Sequence, residues 1–224
     1  AQDLDLELVI TRQHPHQHKQ QLKIFPHLYL RNKDSTMNII GIHGNAGVGK
    51  DTFAEVFHYY GYRQYSFAAP IKGMCKIAFG FTEGDYTNRD LKELKDHYWK
   101  YSPREVLQIV GTELFRSYFG DDFWIRRLEL QLLLDYKNPR DVKVVISDVR
   151  FQNEADWIAK AGGKIIHLTR PGYDGKVGIT NHPSEAGINF TDSSKFKKGD
   201  NYYEVINDST LTELRHKARQ FCTL

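Results

Sequence analysis

A glycine-rich segment that ends in a lysine is the part of this sequence best suited to chemistry. The segment Gly44-Asn-Ala-Gly-Val-Gly-Lys-Asp-Thr52 follows a short apolar run, 39–42, and precedes a stretch with helical character. Glycines at this spacing let the backbone wrap around phosphate oxygens with its amide hydrogens pointing inward. The helix start adds a positive dipole end, and the lysine adds a mobile cation. An ordinary glycine-rich turn is the competing interpretation, but the lysine and the flanking elements favour a mononucleotide site. Its predicted members are Gly44, Asn45, Ala46, Gly47, Val48, Gly49, Lys50, Asp51 and Thr52.

The residue after the lysine departs from the usual phosphate-loop pattern, in which Ser or Thr follows the lysine and ligates magnesium. Here Asp51 follows Lys50, and Thr52 comes one position later. A carboxylate beside a triphosphate is repelled unless a cation or a substrate hydroxyl offsets it. We therefore expect Asp51 to meet magnesium, directly or through water, or to meet the acceptor, while Thr52 supplies the hydroxyl at the helix start.

A second acidic position follows a continuous β-branched run later in the chain. Asp148 ends this predicted strand, and phosphate-loop enzymes keep an acid for magnesium at such a place. Asp148 is therefore a third candidate metal ligand beside Asp51 and Thr52, with a solvated or helix-capping aspartate as the alternative. Arg150 can pair with Asp148 or Glu154, or face a substrate phosphate.

Phosphoryl transfer also needs cations, because charge spreads over the equatorial oxygens of the moving group in the transition state. Arg104 and Arg116 lie on one predicted helix, and Arg170 and Lys176 lie in a loop, 170–190, rich in Gly, Pro, Asn and Asp. Each of them could be an ordinary surface charge. A glycine-rich loop that carries Arg170 is nevertheless typical of a closing lid, since closure excludes water. The predicted catalytic residues are Lys50, Asp51, Arg150 and Arg170.

The segment His182-Pro-Ser-Glu185 lies inside the same loop. A histidine beside a hydroxyl and a carboxylate suggests a hydrolase. The three residues are too close in sequence for a catalytic triad, and no strained nucleophile elbow surrounds Ser184. We interpret the segment as a substrate contact or a helix cap.

Length and composition indicate one globular domain. The 224 residues are 40% hydrophobic and 26% charged, which favours a sizeable core and argues against wholesale disorder. No apolar run reaches membrane-spanning length, so no membrane segment is expected. The formal charge of +3 is too small and too scattered for a nucleic-acid-binding surface. Cys75 and Cys222 lack metal-ligand spacing and are expected to be reduced thiols in the cytoplasm, although a pair of cysteines leaves a disulfide open.

Residues 1–36 differ from the rest of the chain. They contain four of the ten histidines and neither glycine nor methionine. We interpret them as an N-terminal extension of uncertain status that is dispensable for chemistry and lacks the features of a signal peptide. His14, His16 and His18 could bind a metal, but such tracts are more often solvated. The catalytic domain is predicted to span 37–224.

Strand and helix signals alternate from Met37 onwards, which predicts a three-layer, doubly wound parallel sheet of the α/β class. Predicted strands cover 39–42, 63–67, 142–147, 164–168 and 202–206. Predicted helices cover 52–60, 71–79, 88–98, a segment capped by Ser102, 122–136, 155–161 and 211–221. Ligands bind at the carboxyl ends of strands in such sheets, which is where Gly44 and Asp148 fall.

Five motifs together resemble the bacteriophage deoxynucleoside monophosphate kinases, phosphate-loop enzymes of the NMP kinase type. The resemblance spans nearly all of 37–224, and Gly-Lys-Asp-Thr and Asp-Val-Arg-Phe are its most distinguishing parts. In chain order the motifs are Gly44-Asn-Ala-Gly-Val-Gly-Lys-Asp-Thr52, Ser102-Pro-Arg-Glu-Val-Leu-Gln-Ile-Val-Gly-Thr-Glu-Leu-Phe-Arg116, Asp121-Asp-Phe-Trp124, Asp148-Val-Arg-Phe-Gln-Asn-Glu-Ala155 and His182-Pro-Ser-Glu185.

The resemblance implies transfer of the γ-phosphate of ATP, with Mg²⁺, to a 2′-deoxynucleoside 5′-monophosphate, which supplies DNA precursors in the host cytoplasm. Lys50 and the loop amides would hold the donor phosphates, and Arg170 would belong to the lid. The resemblance also suggests a homodimer, while hydropathy and charge argue against a membrane or a nucleic acid as a partner. The implied acceptor pocket consists of Arg104, Gln108, Arg116, Trp124, Arg150, His182 and Glu185.

Three other functions remain to be weighed against this one. A phosphate-loop kinase of another small acceptor, such as a coenzyme precursor, would share most of these residues. A nucleotide-binding switch of the GTPase type should carry Asp-x-x-Gly, which the sequence lacks, and Asn32-Lys-Asp34 lacks the spacing for guanine recognition. A nucleic-acid-binding module would rest on Lys195-Phe-Lys-Lys198 alone, which is more typical of a solvated turn.

Overall fold

The computed structural model describes residues 38–136, 142–173, 178–179 and 181–223. Within these ranges five strands form one parallel sheet in the order β2-β3-β1-β4-β5. The central strand β1 leads directly into the glycine-rich loop, with β3 and β4 as its neighbours. The strands are β1 (Asn38–His43), β2 (Arg63–Tyr65), β3 (Lys143–Val149), β4 (Lys164–Thr169) and β5 (Tyr202–Ile206).

Helices connect the strands and begin where capping residues place them. The Ser102 hydroxyl accepts a hydrogen bond from the Glu105 amide, and the Glu105 carboxylate accepts one from the Ser102 amide, so the predicted cap at Ser102 is confirmed. The helices are α1 (Lys50–His58), α2 (Ala69–Phe79), α3 (Gly84–Thr87), α4 (Arg89–Glu93), α5 (Pro103–Gln108), a π-helical segment (Ile109–Arg116), α6 (Ser117–Phe119), α7 (Phe123–Asp135), α8 (Gln152–Lys160), a 3₁₀ turn (Pro183–Glu185) and α9 (Leu211–Arg219).

Two hydrophobic cores lie on opposite faces of the sheet, because successive strand residues point to opposite sides. On one face Ile40 and Val145 pack with Phe53 of α1 and Leu214 of α9. On the other face the alternate strand residues pack with side chains of α2, α5, α7 and α8, among them Ile71. The predicted three-layer parallel architecture is confirmed.

Three elements differ from the sequence prediction. The helix predicted to reach Tyr98 ends at Glu93, because the Asp96 carboxylate accepts hydrogen bonds from the Tyr98 and Trp99 amides and forms a local turn. β2 ends at Tyr65 instead of Phe67. β3 continues through Val149, so the candidate acid Asp148 lies within this strand instead of just after it.

Other predictions concern the cysteines, the membrane and the parts of the chain outside the described ranges. Cys75 and Cys222 are both buried and free, which confirms the expectation of reduced thiols. In the described ranges, the helices are too short or too polar to cross a bilayer. The extension at 1–36, its histidine tract and Lys176 lie outside the described residues, so the expectations about them stay predictions.

Candidate active site

The glycine-rich loop follows β1 and turns sharply into α1. Gly44 lies so close to β4 that an added Cβ would be 2.2 Å from the carbonyl oxygen of Leu168, so a side chain is excluded there. The Lys50 ammonium folds back over the loop and donates to the carbonyl oxygens of Gly44 and Asn45, each at 2.7 Å. The loop is thus closed on itself by the lysine that the sequence predicts to hold a phosphate.

A residue that the sequence analysis did not identify fixes the far side of the loop. Asn207 directly follows β5, and its side-chain amide donates to the Val48 carbonyl at 2.9 Å while its backbone amide donates to the Thr169 carbonyl at 2.7 Å. Asn207 therefore ties the loop to the two strands β4 and β5. The sequence signal that could have identified Asn207 is its position directly after the predicted strand 202–206.

Several charged groups surround the Lys50 ammonium. Burial, and after it the charge of the Arg150 guanidinium, lower the pKa of Lys50 to about 8. The negative charges of Asp51, Glu185 and Asp148 raise the pKa of Lys50. Residues from α1, from β3 and its end, and from the 3₁₀ turn therefore meet around this lysine, as expected for the carboxyl edge of a parallel sheet.

The candidate metal ligands lie on two elements. Asp51 is exposed and Thr52 is half-buried in the first turn of α1. Among the described residues, no group of three or more His, Cys, Asp and Glu side chains is placed to hold a metal ion.

Asp148 is heavily engaged with the turn after β2. Its carboxylate accepts hydrogen bonds from the Ser66 hydroxyl at 2.7 Å, the Phe67 amide at 3.0 Å and the Ala68 amide at 2.9 Å. Both carboxylate oxygens are used, and these bonds fix the orientation of Asp148 and the path of the chain into α2. The sequence did not indicate this role, since the partners lie about 80 residues away.

Arg150 and Glu185, both predicted to contact the acceptor, form an ion pair. The distance from Arg150 Nη1 to Glu185 Oε1 is 2.5 Å, and both side chains are partly exposed. This pair joins the end of β3 to the 3₁₀ turn. Val149 pairs with His43 at the end of β1, so Arg150 lies beside the start of the phosphate loop, and its charge acts on Lys50.

Arg104 and Gln108 of α5 contact the loop that follows β4. Arg104 is buried and pairs with Glu93 of α4. The Gln108 carbonyl accepts a hydrogen bond from the Ile179 amide at 2.9 Å. Its amide nitrogen Nε2 is buried and has no hydrogen-bond partner among the described residues, so a donor is left available to a ligand.

Arg116 lies at the end of the π-helical segment and is committed to a buried ion pair. Its Nη2 atom is 2.5 Å from Glu154 Oε1, and its guanidinium carbon stacks 3.7 Å from the centroid of the Phe151 ring. The second carboxylate oxygen of Glu154 accepts hydrogen bonds from the backbone amides of Arg150 and Phe151. Burial raises the pKa of Glu154, whereas Arg116 and the two amides act in the opposite direction. The pair thus supports the backbone at Arg150 from beneath.

The side chains of Trp124 and His182 also form hydrogen bonds inside the protein. Trp124 is 3% exposed, donates from its indole nitrogen to the Gly111 carbonyl at 2.8 Å, and lines a cavity of about 390 Å³ between the turn after β2 and α7. The Nδ1 atom of His182 accepts a hydrogen bond from the Ser184 amide. The proton of the ring is therefore on Nε2, which donates to the Glu113 carboxylate at 3.1 Å. His182 therefore caps the 3₁₀ turn, which was one of the two interpretations of its motif.

The loop after β4 crosses the phosphate loop. The Tyr173 hydroxyl would lie 2.7 Å from a Cβ added at Gly47, so the tyrosine covers the loop at that point. Arg89 of α4 hydrogen-bonds to this hydroxyl, and its guanidinium carbon lies 5.0 Å from the ring centroid. Arg170, the predicted lid cation, is exposed just before this crossing. Neither Arg89 nor Tyr173 was identified from the sequence, because neither belongs to a local motif.

A histidine beneath the loop was also missed. His43 ends β1, is 7% exposed, and donates from Nδ1 to the Val149 carbonyl at 2.9 Å. Burial lowers its pKa to about 4, so the ring is neutral at physiological pH. His43 thus links β1 to β3 directly under the phosphate loop without adding charge.

Comparisons with known proteins agree on one family. A family model described as deoxynucleotide monophosphate kinase matches residues 85–218. A provisionally named deoxynucleotide monophosphate kinase of Acanthamoeba polyphaga mimivirus is 38% identical over 169 residues, which is 68% of this chain and 82% of that protein. The deoxynucleoside-5′-monophosphate kinase of Escherichia phage T5 is 26% identical, with 67% of this chain and 84% of that protein covered.

Solved structures with a similar course of the chain were also found. A dephospho-CoA kinase from Campylobacter jejuni has 16% identity and a TM-score of 0.44, with 84% of this chain and 96% of that chain covered. A gluconokinase from Sinorhizobium meliloti has 14% identity and a TM-score of 0.41, with 84% and 93% covered.

Proposed function

The chain belongs to the deoxynucleotide monophosphate kinase family, and we propose that it transfers the γ-phosphate of ATP to 2′-deoxynucleoside 5′-monophosphates, giving ADP and deoxynucleoside diphosphates. The observation that carries the proposal is the pairing of His43 with Val149, which places Arg150 beside the start of the phosphate loop, where its charge acts on Lys50. Lys50 belongs to a loop that suits the donor phosphates, and Arg150 offers a second phosphate a cation close by. Two phosphates must meet in this way for in-line transfer.

The donor phosphates would bind in the loop 44–52. Lys50 donates to two carbonyl oxygens of its own loop, and phosphate oxygens would replace these acceptors when ATP binds. The loop amides and the start of α1 would contribute further donors and a positive dipole end. Asn207 would keep the loop in the same shape in both states, because its bond to the Val48 carbonyl lies outside the phosphate cradle.

Magnesium would be held jointly by the protein and ATP. Kinases bind Mg²⁺ through one or two carboxylates together with phosphates and waters, instead of an all-protein cage. Asp51 and Thr52 fit this partial ligand set, since both lie in the first turn after the loop. Asp148 fits a contact through water, because three hydrogen bonds already hold its oxygens. When bound, the ion neutralises charge on the β- and γ-phosphates.

The predicted acceptor residues would divide into contacts and supports. Arg104, Arg150 and Glu185 would contact the acceptor, and Gln108 would donate from its unpaired Nε2 to the base or the sugar. The remaining three would position these contacts, since each is held by hydrogen bonds inside the protein. These supports are Arg116 through Glu154, Trp124 through the π-helical segment, and His182 through the 3₁₀ turn.

Catalysis in this arrangement would come from positioning and charge. The cations Lys50 and Arg150 would stabilise the charge that spreads over the transferred group, and Arg170 would approach with the loop that carries it. The contact between Tyr173 and Arg89 brings that loop over the phosphate loop. Closure of this kind excludes water and suppresses hydrolysis of ATP.

The test is ATP-dependent ADP release with each of the four deoxynucleoside monophosphates. We expect turnover with at least one of them, and Lys50→Met should lower kcat/KM by roughly a hundredfold or more. Lys198→Met is the matched control, since its side chain is 72% exposed and distant in sequence from the loop, and it should retain activity. A Lys50→Met protein with normal turnover would remove the phosphate loop from the mechanism.

A kinase of another small acceptor is not favoured, because the family model and the relatives are described as kinases of deoxynucleotide monophosphates. The same assay with a panel of phosphate acceptors separates the two functions. If every deoxynucleotide fails and a different acceptor is phosphorylated, the proposed function is wrong.

A further inference from the structure

The short helix α4 is held between the phosphate loop and α5. At its start Arg89 bonds to Tyr173, which covers Gly47, and at its end Glu93 pairs with Arg104. Residues three or four apart on a helix share one face. Lys92 lies three residues after Arg89 and next to Glu93, so it projects into the same interval between the phosphate loop and α5.

The surroundings of Lys92 are predominantly cationic. Its side chain is half-buried, and the charges that act on it most strongly are those of Arg104, Lys72 and Arg150, with Asp51 acting in the opposite sense. Burial, and after it the charges of the neighbouring cations, lower the pKa of Lys92 to about 8. A cation that is partly removed from water beside other cations is unfavourable unless an anion binds among them.

Lys92 also lacks the partners that other lysines have. Lys50 donates to two carbonyl oxygens, and Lys95 lies 3.5 Å from Glu105. For Lys92 the described part of the chain provides neither a hydrogen-bond acceptor nor a carboxylate in ion-pair contact. An exposed lysine needs none, but a half-buried lysine on which the charges of two arginines act is stabilised by an external anion.

We propose that Lys92 binds the 5′-phosphate of the acceptor nucleotide together with Arg104 and Arg150. This inference rests on the proposed function, and no motif of the sequence assigns the residue. The acceptor is favoured over ATP because the cations around Lys92 belong to α2, α5 and the end of β3, not to the phosphate loop. A phosphate monoester presents three terminal oxygens, which matches one lysine and two arginines.

The same geometry gives Asp51 a place in the site. The charge of Asp51 acts on both Lys50 and Lys92, so its carboxylate is near enough to influence both lysines. A negative charge there offsets part of the repulsion between the two ammonium groups before the substrates bind. A serine or threonine at this position could not do so.

The experiment compares Lys92→Gln with Lys95→Gln, which removes the same charge three residues away from a side chain that is 67% exposed. We expect Lys92→Gln to raise KM and the calorimetric Kd for the deoxynucleoside monophosphate by roughly tenfold or more, as for the loss of a charged hydrogen bond. KM for ATP and the melting temperature should stay close to those of the wild type. Lys92→Arg should restore most of the affinity, and Lys95→Gln should behave as the wild type.

Three results would overturn the assignment. An unchanged Kd for the acceptor would show that Lys92 makes no phosphate contact. A fall in kcat with both KM values unchanged would place Lys92 on the transferred group instead. A lower melting temperature with both KM values raised would indicate a structural role.

A readout without turnover separates this inference from the proposed function. Amine acylation followed by peptide mapping measures the reactivity of Lys92, which inorganic phosphate should suppress while Lys95 stays reactive. If the wild type phosphorylates no deoxynucleotide but phosphate still protects Lys92, the proposed function fails and the phosphate site stands. If the wild type is active but neither phosphate nor the nucleotide protects Lys92, the inference fails alone.

Discussion

The phosphate loop and the surface that faces it obtain their shapes in different ways. The loop is shaped by its backbone, with Gly44, Gly47 and Gly49 at positive φ and the Lys50 ammonium closed onto loop carbonyls. The facing surface consists of α4, α5, the end of β3 and the loop after β4. Side-chain ion pairs hold it, namely Arg104 with Glu93, Arg150 with Glu185 and Arg116 with Glu154.

This difference bears on how each substrate binds. A backbone cradle presents its donors before ATP arrives, so binding needs little rearrangement. An arginine that already has a carboxylate partner must share it with, or exchange it for, the incoming phosphate. We therefore expect selectivity among acceptors to depend on the ion-paired surface, and ATP binding to depend on the shape of the loop.

The largest expected effect tests the buried pair beneath the ion-paired surface. Arg116→Met leaves the Glu154 carboxylate buried without its partner, so the free energy of unfolding should fall by about 3–5 kcal/mol. Urea denaturation measures this loss. Arg215→Met is the matched control, because Arg215 is an exposed helical arginine, and it should change the free energy by about 0.5 kcal/mol or less.

The stability of the Arg116→Met variant should also change with pH in a defined direction. Burial raises the pKa of Glu154 in the folded state, and removal of the guanidinium leaves that rise unopposed by a cation. The folded variant then binds more protons than the unfolded one, so its stability should fall as the pH rises from 5 to 8. Arg116→Met/Glu154→Gln should recover much of the loss. Equal stability of the single variant and the wild type would contradict the role given to this pair.

The next effect tests the point at which the two regions touch. Gly47→Ala places a methyl group 2.7 Å from the Tyr173 hydroxyl at a φ of +77°, so KM for ATP should rise roughly tenfold or more. Gly172→Ala is the control, since it has a φ of +72° with nothing within 4 Å of the added atom. It carries a similar backbone cost of about 1–2 kcal/mol but should leave KM for ATP nearly unchanged.

Tyr173→Ala in the Gly47→Ala background should lower KM for ATP again, because it removes the atoms that clash. If Gly47→Ala and Gly172→Ala raised KM for ATP equally, the loop conformation alone would explain the result. The contact with Tyr173 would then have no part in ATP binding.

The smallest effect concerns the electrostatic coupling between the two regions. Lys50 must be protonated to hold phosphate, and its pKa in the free enzyme is lowered to about 8. The value of kcat/KM for ATP should therefore be constant below this pH and fall above it. Arg150→Gln removes a cation that lowers this pKa, so the descending limb should move to higher pH. A limb that stays in place would show that Arg150 and Lys50 are not coupled.

Local signals predicted the elements of this fold well. The cap at Ser102 and the strands β3 and β4 each depend on neighbouring residues, and each is found in the structure. The phosphate loop belongs to the same class, because a single continuous segment contains both its glycines and its lysine. Where a local signal failed, as at Asp96, a side chain competed with the helix for backbone donors.

The facing surface could be predicted only in part. The sequence identified the candidate arginines. Their partners depend on the sheet order, which brings the ends of β3, β1 and β4 together. Contacts such as Arg89 with Tyr173 and Asn207 with Val48 join residues 84 and 159 positions apart. No local pattern encodes such pairs, so the ion pair of Arg116 with Glu154 was not apparent before the structure.

The π-helical segment between α5 and α6 depends on the number of residues that it contains. Its eight residues, Ile109–Arg116, wind more widely than an α-helix and separate Gln108 from the ion pair of Arg116. A one-residue deletion here would turn everything beyond it by about 100°. Arg116 would then point away from Glu154. Evolutionary change in this segment should therefore proceed by substitution, while insertions and deletions accumulate elsewhere in the chain.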